Sequence, residues 1–351
     1  MGKPAGLLVS VSMIVALGLV SPEALGWGTD GHRMISELAV KSLLVDLPDF
    51  VRTPEAIHEV GYLGPEADRE RGAGDSFDAE RSPAHFIDVS DDLTILGGPL
   101  LQSLPPTREQ YDTALRAAGS DQYKAGYLPY SIIQGFQLLT KDFAYWRVDV
   151  AGEKFAKTDA ERSWYAQDRS LRESIVLHDL GTWSHFVADG SMPMHASVHY
   201  NGWGNFPNPE GFTQEHIHVP WENTYVHNNL TATDVEAAMP AYWSCSCTIE
   251  VRVAAYLTAT QAQVVPFYRL EKAGAFALPS PERSSGSVQA GKSSSEGKAF
   301  TAKQVALGAA ELRDMIIEAW RASADQSVGY PPVKVADVES GKTDPYFELS
   351  Y

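Results

Sequence analysis

An all-α fold is what this sequence predicts, on three observations. Stretches with apolar residues at helical spacing far outnumber stretches of strand-like alternation. The 351 residues are 44% hydrophobic, enough to bury a substantial core as one large domain or two smaller ones. Only two cysteines occur, Cys245 and Cys247, so no disulfide framework carries the fold, which its core must hold with metal as a second contributor. A disulfide across so short a spacing is a strained one, which leaves free thiols, a redox pair and an intermolecular bond all open.

In chain order, residues 1–26 carry Lys3, an apolar run from Leu7 to Val20 and the small-x-small sequence Ala24-Leu25-Gly26, the pattern of a secretory signal cut before Trp27. The run is short for a membrane span and no other stretch qualifies, so the expected mature protein is exported, secreted or periplasmic, and forms one domain over residues 27–351 with no stable membrane span. Gly31–Leu47 sets Met34, Ile35, Leu38, Ala39, Leu43 and Leu44 at helical intervals. Residues 61–83, rich in Gly, Asp, Glu, Arg and Ser, predict a loop closed by the apolar piece His85-Phe86-Ile87-Asp88-Val89. Turns near Gly98 and Pro105 lead into helices over about Thr107–Ala118, Tyr127–Phe143 and Asp159–Asp189. Residues 200–213 are too rich in Gly, Pro and Asn for regular structure, and helices over Thr233–Met239 and Thr248–Leu270 follow. Residues 279–298, a Ser/Gly/Lys stretch nearly without apolar side chains, predict a flexible insertion before a last helix, Thr301–Ser323.

The formal charge is −17, and removing residues 1–26 leaves it unchanged because Lys3 and Glu23 cancel. An acidic surface gives no general attraction to polyanions; a nucleic-acid partner needs a local positive field, which bound metal ions can supply.

The chemistry concentrates between Leu177 and Asn223. His185 and Asp189 lie four apart in a predicted helix and so share a face. Pro193 ends that helix and turns His195 back toward it, and His218 and Glu222 repeat the four-residue step. A lone His-x-x-x-Asp pair is usually an exposed ion pair. Two such pairs around a Pro-x-His, with seven of the ten histidines between His178 and His227, argue for metal. Imidazole and carboxylate donors without cysteine suit zinc at sites partly open to water. His178, His199, His216 and His227 compete for the same roles.

Three motifs in the first half complete the pattern: Trp27-Gly28-Thr29-Asp30-Gly31-His32, Ala67-Asp68-Arg69-Glu70-Arg71 and His85-Phe86-Ile87-Asp88. With them the chain resembles the superfamily of zinc-dependent bacterial phospholipases C and S-one/P-one type nucleases, over Trp27 to Asn223. The resemblance implies a multi-helix phospholipase C/nuclease-type bundle whose catalytic domain holds three zinc ions among long loops. It implies that Asp68, His85, His185 and Asp189 hold one ion and that His195, His218 and Glu222 hold a second. The Trp27 terminus and His32 would hold the third, bridged by Asp189 to the first. By the same resemblance Asp68 and Arg71 are catalytic, Arg71 contacting the scissile phosphate, and Phe86 and Asp88 bind a nucleobase.

The motifs divide on substrate. The opening hexapeptide and the Ala67-Asp68-x-x-Arg71 run look like the nucleases, which act on single-stranded nucleic acid. Glu222 as last ligand and Asp30, which matches an acidic residue holding choline, look like the phospholipases, whose substrate is a phospholipid. A departure from the nucleases is Glu66, where they often carry Trp. The expected function is a secreted zinc-dependent phosphodiester hydrolase, a nuclease by preference and a phospholipase C as the alternative, with a non-catalytic zinc-binding protein as the reading from outside the enzymes.

Overall fold

The structure, a computed structural model, describes residues 27–278 and 293–350. The expected leader and residues 279–292 of the expected insertion lie outside the described residues. Helix dominates, as the periodicity requires. In order come α1 (Gly28–Lys41), α2 (Pro54–Leu63), α3 (Glu66–Arg69) and α4 (Asp75–Arg81), the last running into a 3₁₀ turn, Ser82–His85. Then follow α5 (Arg108–Ala117), α6 (Gln122–Ala125), α7 (Leu128–Phe155) and α8 (Asp159–Asp189), and a 3₁₀ turn at Pro193–Ala196. A π turn, Pro220–Tyr225, leads to α9 (Val226–Asn229), α10 (Ala232–Ala238), α11 (Ile249–Gln261), α12 (Val264–Lys272) and α13 (Ser295–Ser323). A two-stranded hairpin, β1 (Ser327–Val328) with β2 (Val333–Lys334), then α14 (Val335–Glu339) and α15 (Tyr346–Leu349) close the described chain.

The long antiparallel pair α7–α8 is the backbone of the bundle. Thr158 starts α8 with a full capping box: its side chain accepts from the Glu161 amide while Glu161 reaches back to the Thr158 amide. The pair approaches closely because Gly135 has no side chain, and a Cβ there would overlap the Trp183 ring. The Trp183 indole in turn donates to the Ile132 carbonyl at 2.9 Å, so burying this large ring leaves no polar atom unpaired. α1 crosses α2, α8 and α13, joined to α8 by the buried hydroxyl contact Ser36–Ser184 at 2.7 Å. One apolar cluster runs from Trp27 and Ile35 through Phe143, Val187 and Trp221 to Met315, and a smaller one joins Val148 of α7 to Val328, Val335 and Val338.

Several boundaries depart from the expected ones. The loop expected over 61–83 narrows to the stretch around Gly72 and Gly74, whose positive φ breaks the chain between α3 and α4. α1 stops at Lys41, where Ser42 Oγ folds back on the Leu38 carbonyl. The helix expected over Thr248–Leu270 is two, α11 and α12, with Pro266 admitted in the first turn of the second where its missing N–H has no intrahelical partner. α7 continues twelve residues past Phe143. α13 starts at Ser295, capped by Ser294, so residues 295–298 of the expected insertion are helical. Cys245 and Cys247 form a disulfide in the loop before α11. No helix among the described residues is long and apolar enough to cross a membrane.

The α7–α8 interface buries two carboxyls without strong partners. Asp142 faces the charge of Asp179, and Asp149 that of Asp168, with Arg172 acting on both. Burial first, then the neighbouring carboxylate, pushes Asp142 up to about 7 and Asp149 up to about 8. Both keep their protons in the folded chain at a pH where the unfolded chain, with carboxyls titrating near 4, has lost them. Folding therefore takes up protons, and stability falls as pH rises from about 4 to about 8. In urea unfolding at pH 5 and pH 8.5, Asp149→Asn should lose less stability than wild type across that interval, by at least about 1 kcal/mol, the worth of one pKa unit. Identical pH dependence in the two proteins would contradict this.

Candidate metal centre

The fold brings eight of the nine expected ligands together through side chains. α1 contributes His32, α3 Asp68, the Ser82–His85 turn His85, and the last turn of α8 His185 and Asp189. The turn at Pro193–Ala196 adds His195, and His218 and Glu222 flank the start of the π turn. Three groups result, each with donor atoms within 4.8 Å of one another: Asp68, His85 and His185; His32, His185 and Asp189; His195, His218 and Glu222.

The first group can be tested against coordination geometry. Tetrahedral donors at bond lengths of about 2.0–2.1 Å stand about 3.3–3.4 Å apart. His85 Nδ1 lies 2.9 Å from His185 Nε2 and 3.1 Å from Asp189 Oδ2, and His185 Nε2 lies 3.3 Å from the same oxygen. Asp68 Oδ1 is 3.8 Å from His185 Nε2 and 3.9 Å from His85 Nδ1. Five separations thus bracket the edge of a tetrahedron around one ion. The opposite oxygens of the two carboxylates face the next group: Asp189 Oδ1 is 3.5 Å and Asp68 Oδ2 3.9 Å from His32 Nε2. Asp189 and Asp68 thus each turn one oxygen toward each of the two groups. In the third group His218 Nε2 lies 2.9 Å from Glu222 Oε2.

Backbone carbonyls select the ring nitrogen that His185 and His195 present. His185 Nδ1 donates to the Gly64 carbonyl at 2.8 Å, which leaves Nε2 as the donor atom facing Asp68 and Asp189. His195 Nδ1 donates to the His85 carbonyl at 2.6 Å, and the Ile87 amide donates to the His195 carbonyl at 2.8 Å. This exchange ties the segment of His85 to that of His195. No spacing rule points to Gly64, because its contribution is a main-chain oxygen.

The cluster is expensive as protein alone. His32, His185 and Asp189 are fully buried, and both His32 nitrogens, Asp68 Oδ1 and Asp189 Oδ1 form no hydrogen bond. Removing a carboxylate from water costs several kcal/mol unless a cation compensates it. Burial drives His32 and His218 well below the ordinary histidine range and lowers His195, which keeps these rings neutral with a lone pair free to coordinate. His185 is pushed up to about 9, burial opposing the charge and Asp189 and Asp68 outweighing it. Asp189 lies well below the carboxylate range, where His185 and His195 overcome its burial. The donor set, its spacing and its orphaned atoms all fit divalent cations.

The remaining expected residues are placed as follows. The Trp27 ring is fully buried, its indole donating to Ser191 Oγ at 2.7 Å and its face 5.1 Å from Trp221, while its carbonyl accepts from the His32 amide. Gly28 beside it packs on Asn223 so closely that a Cβ would overlap the Asn223 side chain, which brings the start of the described chain against the Glu222 segment. Arg71, largely buried, sits 3.8 Å from Asp68 Oδ1 and its charge reaches His218. Phe86 is half-buried, its carbonyl held by the Leu128 amide. Burial pushes Asp88 up to about 7. Asp30 pairs with His227 Nδ1 at 2.6 Å beside a cavity of about 310 Å³ that Glu222 and Asn223 also line. The competing histidines stand outside the groups: His199 is satisfied by the Trp203 carbonyl and Asp91, and His178, His216 and His227 are exposed.

The fold and site together define an all-α protein with a candidate centre for more than one metal ion. No protein-family model matches the chain, and no curated protein sequence matches it significantly.

Elemental analysis after dialysis against divalent transition ions tests the sharing of carboxylates. His218→Ala should lose one ion per chain, whereas Asp189→Ala, which serves two groups, should lose more than one. Equal losses would remove Asp189 as a bridge.

Proposed function

We propose that this chain is an exported phosphodiester hydrolase of the zinc-dependent phospholipase C/nuclease kind that its motifs resemble, and that it cleaves single-stranded DNA or RNA. The observation that carries the reading is the convergence of eight ligand side chains, from His32 to Glu222, on adjoining buried groups that share carboxylates. Imidazole and carboxylate donors without thiolate favour zinc. Asp68, His85, His185 and Asp189 would hold one ion, and His195, His218 and Glu222 a second. His32 with the shared carboxylates and the Trp27 terminus would hold a third. Zinc ions bound there supply Lewis-acid polarisation of a phosphodiester and a nucleophilic water near neutral pH.

The chain's own side chains do the positioning. Asp68, slightly exposed where Asp189 is sealed, is the carboxylate that can accept a hydrogen bond from the attacking water and aim it. Arg71 lies beside it with a planar fork of donors matched to two phosphate oxygens. Those donors gain strength as charge accumulates on the phosphate, so they lower the barrier more than they aid ground-state binding. A second reading, phospholipase C, is favoured by Glu222 as a ligand and by Asp30 on the wall of the adjoining cavity.

Protein beginning at Trp27 and loaded with zinc should degrade single-stranded nucleic acid, lose that activity with a chelator and leave phosphatidylcholine intact; lipid cleavage alone would overturn the nuclease reading. Arg71→Ala should lower kcat by about 100-fold, the usual cost of one donor to the reacting oxyanion. An additional residue in front of Trp27 should lower both activity and metal content by blocking the terminal amine, and unchanged values for both would refute the terminal ligand.

A further inference from the structure

A cleft of about 430 Å³ opens against the centre, with the ligand His85 in its wall, and nothing in the reading above uses it. That volume lies in the range of about 300–1,000 Å³ that takes small-molecule ligands. One wall is Phe186 of α8, whose ring lies 5.4 Å from that of His85, so the cleft reaches one imidazole of the first group. Opposite stand Arg81, the last residue of α4, and Arg108, the first of α5. Arg108 lies flat on Tyr127, its guanidinium carbon 3.5 Å from the ring centroid, with Nε bonded to Gln122; Arg81 lies 5.1 Å over Phe77. Tyr127 joins the two sides, its amide donating to the Pro83 carbonyl at 2.7 Å and its hydroxyl to the Glu80 carbonyl.

Neither guanidinium has a carboxylate within ion-pairing distance among the described residues. In a chain with 45 acidic side chains against 28 lysines and arginines, two such arginines at one rim are informative. Three carboxylates also line the cleft: Glu80, which accepts from Tyr123, Asp179, which lies 2.9 Å from His178 Nδ1, and Glu70. Stacking on an aromatic ring holds a guanidinium in place while leaving in-plane donors for an anion.

We propose that this cleft binds the stretch of a nucleic-acid strand next to the scissile phosphate, with Phe186 against a nucleoside and Arg81 and Arg108 on a second phosphate. The inference rests on the nuclease reading and sharpens it: the preferred substrate is a polyanion with at least two phosphodiesters, rather than a zwitterionic headgroup. A quaternary ammonium would meet two guanidiniums and find the Tyr127 face already covered by Arg108.

The test compares a thymidine dinucleotide, with one phosphodiester, and the trinucleotide, with two, as substrates of the zinc-loaded chain. Wild type should prefer the trinucleotide at least tenfold in kcat/KM. The preference should collapse to within about threefold in R81Q/R108Q and persist in R81K/R108K, which keeps the charges and alters the stacking. The log–log salt dependence of trinucleotide cleavage should become shallower by roughly 0.7 in the glutamine variant, the amount for one lost phosphate contact to a single strand. Equal handling of the two substrates by wild type overturns the proposal, as does a glutamine variant that keeps the preference. If the glutamine variant fails to fold, judged by its circular dichroism and bound zinc, the wild-type comparison and its salt dependence decide alone. Turnover of phosphatidylcholine with neither oligonucleotide cleaved overturns the nuclease reading itself, a result distinct from dinucleotide and trinucleotide cleaved alike.

Discussion

Two carboxylates, Asp68 and Asp189, each turn one oxygen toward His85 and His185 and the other toward His32, and much of the fold answers to that arrangement. A carboxylate that serves two neighbours must be held at both oxygens, which a surface loop rarely does. Asp189 is held by lying at the buried end of a 31-residue helix whose other end is fixed by a capping box. α1 delivers His32 from the opposite side, stacked 3.9 Å from the His185 ring. Main-chain carbonyls at Gly64 and His85 set the rings, so a small shift of α2 or of the 3₁₀ turn would misdirect a donor atom.

Such a centre places ionisable groups where an apolar core would stabilise more. The surrounding packing offsets part of that cost. Trp27, Trp221, Phe267 and Phe276 form a contiguous aromatic cluster behind Glu222, and the Tyr256 hydroxyl ties α11 to the Val187 carbonyl two residues before Asp189. The acidic net charge and the buried neutral imidazoles are compatible because the positive field at the site is local, from Arg71 and from whatever cations the donors hold. The same locality explains why whole-chain charge argues poorly about substrate: Arg81 and Arg108 line one cleft, with Glu70, Glu80 and Asp179 beside them, in a chain whose net charge is −17.

Legibility in the sequence followed the strength of the local signal. α8 spans Asp159–Asp189, the bounds expected from the sequence, and the four-residue steps His185–Asp189 and His218–Glu222 both bring two donors together. α3 and α4 were hidden within 61–83 because short charged helices carry little apolar periodicity and take their stability from what they pack against. α12 separates from α11 through a single Pro266 whose effect depends on which turn receives it. His199 and His227 could not be told from the ligands by composition, since their partners, Asp91 and Asp30, are 108 and 197 residues away.

The sequence by itself determined the class of fold and singled out His185, Asp189, His218 and Glu222, because helical periodicity and i,i+4 spacing are properties of neighbouring residues; His32, Asp68 and His85 entered through the family resemblance. Tertiary structure alone decided which atoms face one another: that Asp68 is shared as Asp189 is, that Gly64 orients His185, and that Arg81 and Arg108 meet at one cleft. Those relations depend on the packing of helices distant in the chain and on main-chain oxygens, which leave no mark in residue type or spacing.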